Sequence, residues 1–295
     1  MKPAPFDYKA PDSLEQALDL LQSVAGDGKL LAGGQSLVPA MNFRLVQPTV
    51  LIDLNRVQEL QYIRQVDGGA LHIGAMTRER QLELDARVAA TIPLLAEAMP
   101  NIAHPQIRNR GTLGGSLANA DPAAELPVIM TALGARFQLR SARGQRWVAA
   151  HDFFTGLFST ALAEDEILVE IEIPASPPRT GWSFMEMAPR AGDYALTGVA
   201  ALVRLDARKR CEAATLVYLN AGEGPVRALR AAQLLEGHVI NEENIEAAAA
   251  MASQEEIQPF GNVHASPEYQ RHLARVLTRR ALRLAAERAA GGAAA

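Results

Sequence analysis

An α+β protein of two domains is what this sequence predicts, and three observations predict it. Short apolar runs of strand character are scattered among helical stretches, with a hairpin in each half, where a doubly wound parallel sheet would alternate the two strictly. The segment PASPPRTG (174–181) places three prolines in eight residues and interrupts the pattern, which marks a boundary. A length of 295 residues suits about two domains. The expected division is 1–175, with subdomains of about 1–57 and 58–175, then 176–289, then a frayed tail over 290–295.

The elements follow in order. Ser13 and Gln16 have capping-box spacing, and behind them Leu14, Ala17, Leu18 and Leu21 share one helical face. GKLLAGGQS is a short strand that ends in paired glycines; PTVLIDLNRV and GGALHIGAMT contain further strands. Thr77 is expected to cap a helix over 78–90, and another helix runs over about 92–99. A buried helix is expected over 125–133, a hairpin turning at Arg143-Gly144, and in EILVEIEIP a strand alternating apolar and acidic residues. Beyond the prolines, runs 197–205 and 213–220 form an antiparallel hairpin across the charged turn Asp206–Arg210, where Cys211 is expected to be an incidental thiol. Helices near 227–236, 242–254 and 267–289 complete the chain. The last has Leu273, Leu277, Ala281 and Leu284 on one face and six arginines mostly elsewhere, as a helix docked on its own domain would.

Composition excludes several classes. A net charge of −4 argues against a dedicated nucleic-acid binder. No run approaches the length of apolar sequence that a membrane span needs. The N-terminus lacks an apolar signal-peptide core, so a cytoplasmic protein is expected. A single cysteine permits no internal disulfide, and the chain cannot by itself ligate an iron–sulfur cluster, which uses several thiolates. His72, His151, His238, His264 and His272 lack ligand-like spacing, so no metal site is expected.

Two glycine-rich segments stand out: LAGGQSL (31–37) and GTLGGSLAN (111–119). Glycine lets a backbone approach a ligand closely, and successive N–H groups in such turns form a concave nest for phosphate oxygens. Gln35, Ser36, Thr112 and Ser116 add hydrogen-bonding groups without bulk. Neither segment has the Gly-x-Gly-x-x-Gly spacing of a dinucleotide fold, and GDGKLL lacks both the first glycine and the hydroxyl of a P-loop. The bland alternative is that the glycines only make tight turns. Two such segments together point to a phosphate-bearing ligand, and the residues by themselves reach no further.

KLLAGGQSLVPAMNFRL, HPQIRNRGTLGGSLANADPAAELP and APRAGDYALTGVAA together resemble the FAD-binding medium subunit of molybdenum hydroxylases, the carbon monoxide dehydrogenase and xanthine dehydrogenase family. The likeness extends along essentially the whole chain, with GPVRA (224–228) and the C-terminal helices in the expected order. It implies noncovalent FAD in a two-subdomain domain of the vanillyl-alcohol oxidase (PCMH) type, followed by a smaller α+β domain of antiparallel sheet and helices. By motif, Ala32, Gly33, Gly34, Gln35 and Ser36 would cradle the pyrophosphate, flanked by Leu30, Leu31 and Leu37. Thr112, Gly114, Gly115 and Ser116 would form the second half of the cradle. Glu125, and more weakly Asp121, would lie near the adenosine; Asp121 is alternatively a cap for the helix after Pro122. Ile102 and Leu168 would line the flavin and adenine, Tyr194 would stand beside the isoalloxazine ring, and His104 would shape or contact the flavin loop.

Two departures from the pattern matter. Gln35 stands where the carbon monoxide enzymes typically carry histidine, and Glu186 stands where many relatives place a lysine near the flavin. The resemblance implies no catalytic side chain here. Substrate (an N-heterocycle such as a purine or nicotine-like compound, an aldehyde or carbon monoxide) would be oxidised on a large molybdenum subunit, and 2Fe–2S clusters of a small subunit would deliver single electrons. FAD would pass them in pairs to a terminal acceptor, the whole forming a dimer of heterotrimers. The rival readings are a self-contained FAD-dependent oxidase of a small alcohol and a nucleotide-binding module without redox turnover.

Overall fold

The computed structural model describes residues 2–24 and 26–291, so most of the tail expected to fray, 292–295, lies outside the described residues. The first subdomain holds strands β1 (Asp7–Lys9), β2 (Gly28–Leu31) and β3 (Val50–Asp53) with helices α1 (Leu14–Ser23) and α2 (Leu37–Asn42). The strands pair in the order β1-β3-β2, all parallel, so this one small sheet departs from the otherwise antiparallel pattern. Leu14, Ala17, Leu18 and Leu21 of α1 are buried against Ile52 and Leu54, as their helical spacing predicts. Ser13 Oγ accepts from the Gln16 N–H at 3.2 Å, but the Gln16 side chain reaches the Asp12 N–H instead, so the capping box is half formed.

The second subdomain contains β4 (Ile63–Gln65), β5 (Leu71–Gly74), the helices α3 (Glu79–Leu84), α4 (Ala86–Thr91), α5 (Pro93–Ala98), α6 (Pro105–Arg108), α7 (Leu113–Asn119) and α8 (Glu125–Ala132), then β6 (Arg136–Ser141), β7 (Gly144–Ala149), α9 (Ala150–Phe153), the small hairpin β8 (Phe154–Gly156) and β9 (Ser159–Thr160), and β10 (Ile167–Ile173). Its five-stranded antiparallel sheet runs β4-β5-β10-β6-β7. The expected helix over 78–90 is broken at Asp85, which is extended and whose carboxylate caps the Arg87 N–H. Nor is Thr77 its cap; the Thr77 hydroxyl both accepts from and donates to the backbone of Tyr62. β10 carries a register shift between Leu168 and Glu170. The shift changes the strict alternation: Leu168, Ile171 and Ile173 face the helical core, while Ile167 and Val169 enter the core of the first subdomain.

The C-terminal half contains β11 (Thr180–Met187), β12 (Thr197–Leu205), β13 (Cys211–Leu219) and β14 (Val226–Arg227), with α10 (Leu229–Gln233), α11 (Glu242–Met251) and α12 (Pro267–Ala289). The four strands form one antiparallel sheet in sequence order. One face, with Val199, Ala201 and Val203, packs on α12; the other, with Phe184, Ala200, Val217 and Leu219, joins the core of the second subdomain. On α12, Leu273, Leu277 and Ala281 are buried as expected, but Leu282 and Ala285 complete the face and Leu284 is only half-buried. Cys211 corrects its expectation as well: it opens β13 rather than the turn and is buried, which pushes its thiol up to about 11. No helix among the described residues is long and apolar enough to cross a membrane.

Candidate cofactor-binding site

The two glycine segments, eighty residues apart in sequence, are in backbone contact. A Cβ on Gly33 would overlap the Arg110 carbonyl and stand 2.8 Å from Gly111 Cα, and a Cβ on Gly115 would stand 3.2 Å from Ala32 Cβ. Only glycine permits this approach, so any side chain at position 33 would force the segments apart.

Their chemistry differs. The first segment leaves β2 at Leu31, passes Gly34 at φ +74° and enters α2 at Leu37. Among the described residues, the backbone N–H groups of Gly33, Gly34, Gln35 and Ser36 have no partner. Carbonyls in the same segment are taken: Asn55 Nδ2 donates to the Ala32 oxygen at 2.9 Å, and Gln35 Nε2 donates to the Gly33 oxygen at 3.0 Å. Each peptide plane so held turns the following N–H the opposite way. The result is a row of unsatisfied donors on a half-buried surface, a site for an anion such as a diphosphate.

The second segment, expected to be another open nest, is the start of helix α7. Thr112 is its N-cap, with Oγ1 accepting from the Gly115 N–H at 3.1 Å. Leu113 donates to the Thr77 carbonyl, Gly114 to Ala75 and Ser116 to Thr112, so these N–H groups are already engaged. Thr112 and Gly114 are buried; a Cβ on Gly114 would meet Ala75 at 2.5 Å. They build the floor, while the partly exposed Gly115 and Ser116 face the first segment's side. Leu30, Leu31 and Leu37 flank it half-buried.

The remaining predicted residues lie around this floor. Ile102 and Leu168 are buried in the core of the second subdomain. Arg108 fixes the turn before α6 by donating to the Ile102 and Ala103 carbonyls at 2.7 and 3.1 Å while pairing with Glu83. His104 is exposed, and its ring abuts Gly192, which ties the turn to the 188–196 loop. Asn220 links that loop to the next: its N–H donates to the Pro122 carbonyl and its amide to the Ala195 carbonyl, both at 2.7 Å. Asp121 does not cap α8, whose N-cap is Ala124; its carboxylate accepts from the Ala123 N–H at 2.9 Å in a local turn. Tyr194 is 71% exposed, yet local burial and the carboxylates of Asp121 and Glu125 raise its phenol.

Carboxyl groups dominate the electrostatics. Burial lifts Glu125 to about 7. Burial, then the charge of Glu125, lifts Glu186 to about 8, and one of its oxygens is buried without a partner among the described residues. Burial thus shifts the Glu186 carboxyl toward its neutral form. Sequence reasoning missed Glu79, Asn55 and Arg78. Glu79 is 5% exposed and lies against Gly111, and Arg78 bonds both Asn55 and the Arg110 carbonyl. The only signal for them is the pair of strand ends IDLNR and GAMTRE, which read as ordinary loops.

Residues 4–176 match the family described as FAD binding domain in molybdopterin dehydrogenase, and residues 182–285 match CO dehydrogenase flavoprotein C-terminal domain. The chain belongs to this flavoprotein family. It is 41% identical over 289 residues to the 6-hydroxypseudooxynicotine dehydrogenase complex subunit alpha of Paenarthrobacter nicotinovorans, covering 98% of this chain and 97% of that one. The solved carbon monoxide dehydrogenase of Hydrogenophaga pseudoflava superposes with a TM-score of 0.93 at 38% identity, over 97% of this chain and 98% of its own. Quinoline 2-oxidoreductase from Pseudomonas putida 86 superposes with a TM-score of 0.92 at 40% identity, over 98% and 99%.

Proposed function

We propose that this chain is the FAD-carrying electron-transfer subunit of a heteromeric molybdenum hydroxylase, with domains 1–175 and 176–289. The observation that carries the reading is the row of unpartnered N–H groups over 33–36, held against the turn of 111–116. Gly33, Gly34, Gln35 and Ser36 would bind the diphosphate, with Ala32 and the leucines 30, 31 and 37 shaping the segment around them. Gly115 and Ser116 would face it from a floor built by Thr112 and Gly114. Asp121 and Glu125 would lie near the adenosine, Ile102 and Leu168 behind the rings, and Tyr194 and His104 near the isoalloxazine. Bound FAD supplies the means to accept electrons singly and release them in pairs; this chain's residues bind it, orient it and exclude water from it.

The lone, buried Cys211 accords with iron–sulfur clusters on a separate small subunit and with substrate oxidation at molybdenum on a large one. An N-heterocycle is the substrate class we favour, supported by the relatives named for 6-hydroxypseudooxynicotine and quinoline and by Gln35 in place of histidine. A dimer of heterotrimers in the cytoplasm is the expected assembly.

The test begins with the full chain and its neighbours expressed together. Flavin absorption bands in the purified protein, with co-purifying chains that carry molybdenum and iron, are the expected result. A flavin-free protein overturns the reading, and a flavoprotein that turns over small alcohols without partners overturns the subunit role. Ser36→Asp places a carboxylate among the free N–H groups at an exposed position whose side chain makes no cap hydrogen bond, so no fold contact is lost. It is expected to weaken FAD binding at least ~10-fold with the apoprotein's melting temperature unchanged.

A further inference from the structure

Asn55 and Arg78 belong to neither glycine segment, yet they span the space between them. Asn55 Oδ1 accepts from one terminal nitrogen of Arg78 at 2.5 Å, while its Nδ2 holds the Ala32 carbonyl at 2.9 Å. The other terminal nitrogen of Arg78 donates to the Arg110 carbonyl. Asn55 is itself held by Asp53, whose Oδ1 accepts its backbone N–H at 2.9 Å and its side-chain amide. Tyr8 closes the line by donating to Asp53 Oδ2 at 2.5 Å. The line therefore runs from Tyr8 on β1 through Asp53 and Asn55 at the end of β3 to Arg78 before α3, and ends on the second glycine segment.

We propose that Arg78, acting through Asn55, is a positioning residue that sets the separation of the two cofactor-binding segments and aims the free N–H row at its ligand. The proposal rests on the reading of residues 33–36 and 112–116 as the FAD cradle. The Ala32 carbonyl and the Gly33 N–H belong to one rigid peptide plane, so the Asn55 amide that holds the oxygen turns the N–H toward the open side. The Arg110 carbonyl lies against the position a Gly33 Cβ would fill, so the bond from Arg78 holds the closest point between the segments. Each terminal nitrogen of Arg78 donates to a protein acceptor, so its fork is fixed between Asn55 and the Arg110 carbonyl and ties the two sides of the cradle together. The planar fork is essential. A lysine keeps the charge, but a single ammonium does not reach two acceptors in this arrangement.

The test uses the full chain, stripped of flavin and titrated with FAD by flavin fluorescence. Arg78→Lys, Arg78→Met and Asn55→Ala are each expected to raise the dissociation constant at least ~10-fold. In the double variant Arg78→Met/Asn55→Ala the loss is expected to be no larger than that of the worse single change, since the two act in series. Millimolar guanidinium ion is expected to restore tighter binding to Arg78→Ala and to leave Ser36→Asp unaffected. Bound-flavin circular dichroism is expected to change in Arg78→Lys, which a merely structural role would not alter. FAD binding by Arg78→Lys within about twofold of the parent, or additive losses in the double variant, overturns the proposal. If Ser36→Asp also binds normally, the cradle reading itself has failed; if only Ser36→Asp loses FAD, the positioning role alone has failed. Should Arg78→Met not fold, Asn55→Ala and the conservative Arg78→Lys decide the matter.

Discussion

Near the cradle, burial holds four carboxyl groups above the ordinary carboxylate range. Glu79 is pushed up to about 8, mainly by burial and then by Glu125, against a lowering pull from Arg108; one of its oxygens has no partner among the described residues. Glu186 and Glu125 are raised for the same principal reason, and Asp121 beside them is raised by burial too. For the three glutamates the folded value lies above the ordinary 4.5, so the folded state binds more protons than the unfolded chain between the two values. Stability from these groups is complete below about 4.5 and is lost as pH rises toward about 8. The apoprotein is therefore expected to melt at lower temperature at alkaline than at mildly acidic pH. Glu79→Gln should flatten that slope by an amount on the order of 2 kcal/mol, measurable by calorimetry across the range. The glycines at 33, 34, 114 and 115 were legible in the sequence because small residues clustered with hydroxyls have few other uses. Glu79 and Arg78 were not, because a charged residue after a strand reads as a solvated loop until its distant neighbours are known.

The elements show the same division. Helix α1 was legible from the spacing of its apolar residues, and the β12–β13 hairpin from its β-branched runs around a charged turn. Strand β11 was missed: it follows the proline-rich break directly, and WSFMEM has no clean alternation. Its partner α12 crosses it so closely that a Cβ on Gly181 would overlap the Ala285 carbonyl and stand 2.5 Å from the Ala289 nitrogen. Gly181→Ala must push a 23-residue helix off the sheet. The expected cost is about 3 kcal/mol, seen as a fall of several degrees in melting temperature. The glycine segment of 111–119 was misread in form, because a run of small residues with two glycines gives no helical periodicity. Helix α7 exists because Thr112 caps it and because Ala75 and Thr77 accept from its first N–H groups.

On the scale of the molecule, a shared sheet face joins the two halves, and an ion pair reinforces it. Glu97 on α5 accepts from the Phe184 N–H at 2.8 Å and pairs with Arg288 of α12 at 2.6 Å. Arg288 also donates to the Trp182 carbonyl at 2.7 Å and lies over the Trp182 ring at 4.9 Å. Both side chains are largely sequestered, so removing one partner leaves a poorly solvated charge. Glu97→Ala is expected to destabilise the chain by about 3 kcal/mol and to speed proteolytic cutting within the exposed segment 174–179, which limited proteolysis reads directly.

By itself the sequence determined the α+β class, the helices with a continuous apolar stripe, the family resemblance and the two glycine segments. These depend on local spacing and on residue types whose conformational range is distinctive. Only the tertiary structure decided that the segments meet, that one offers free donors while the other is a capped helix, and that Arg78 and Asn55 tie them together. Those outcomes rest on a close backbone approach between distant segments and on side-chain hydrogen bonds that span 23 to 32 residues of chain. A hydrogen bond of that kind leaves no period in the sequence, because its partners are chosen by the packing of sheets and not by their neighbours along the chain.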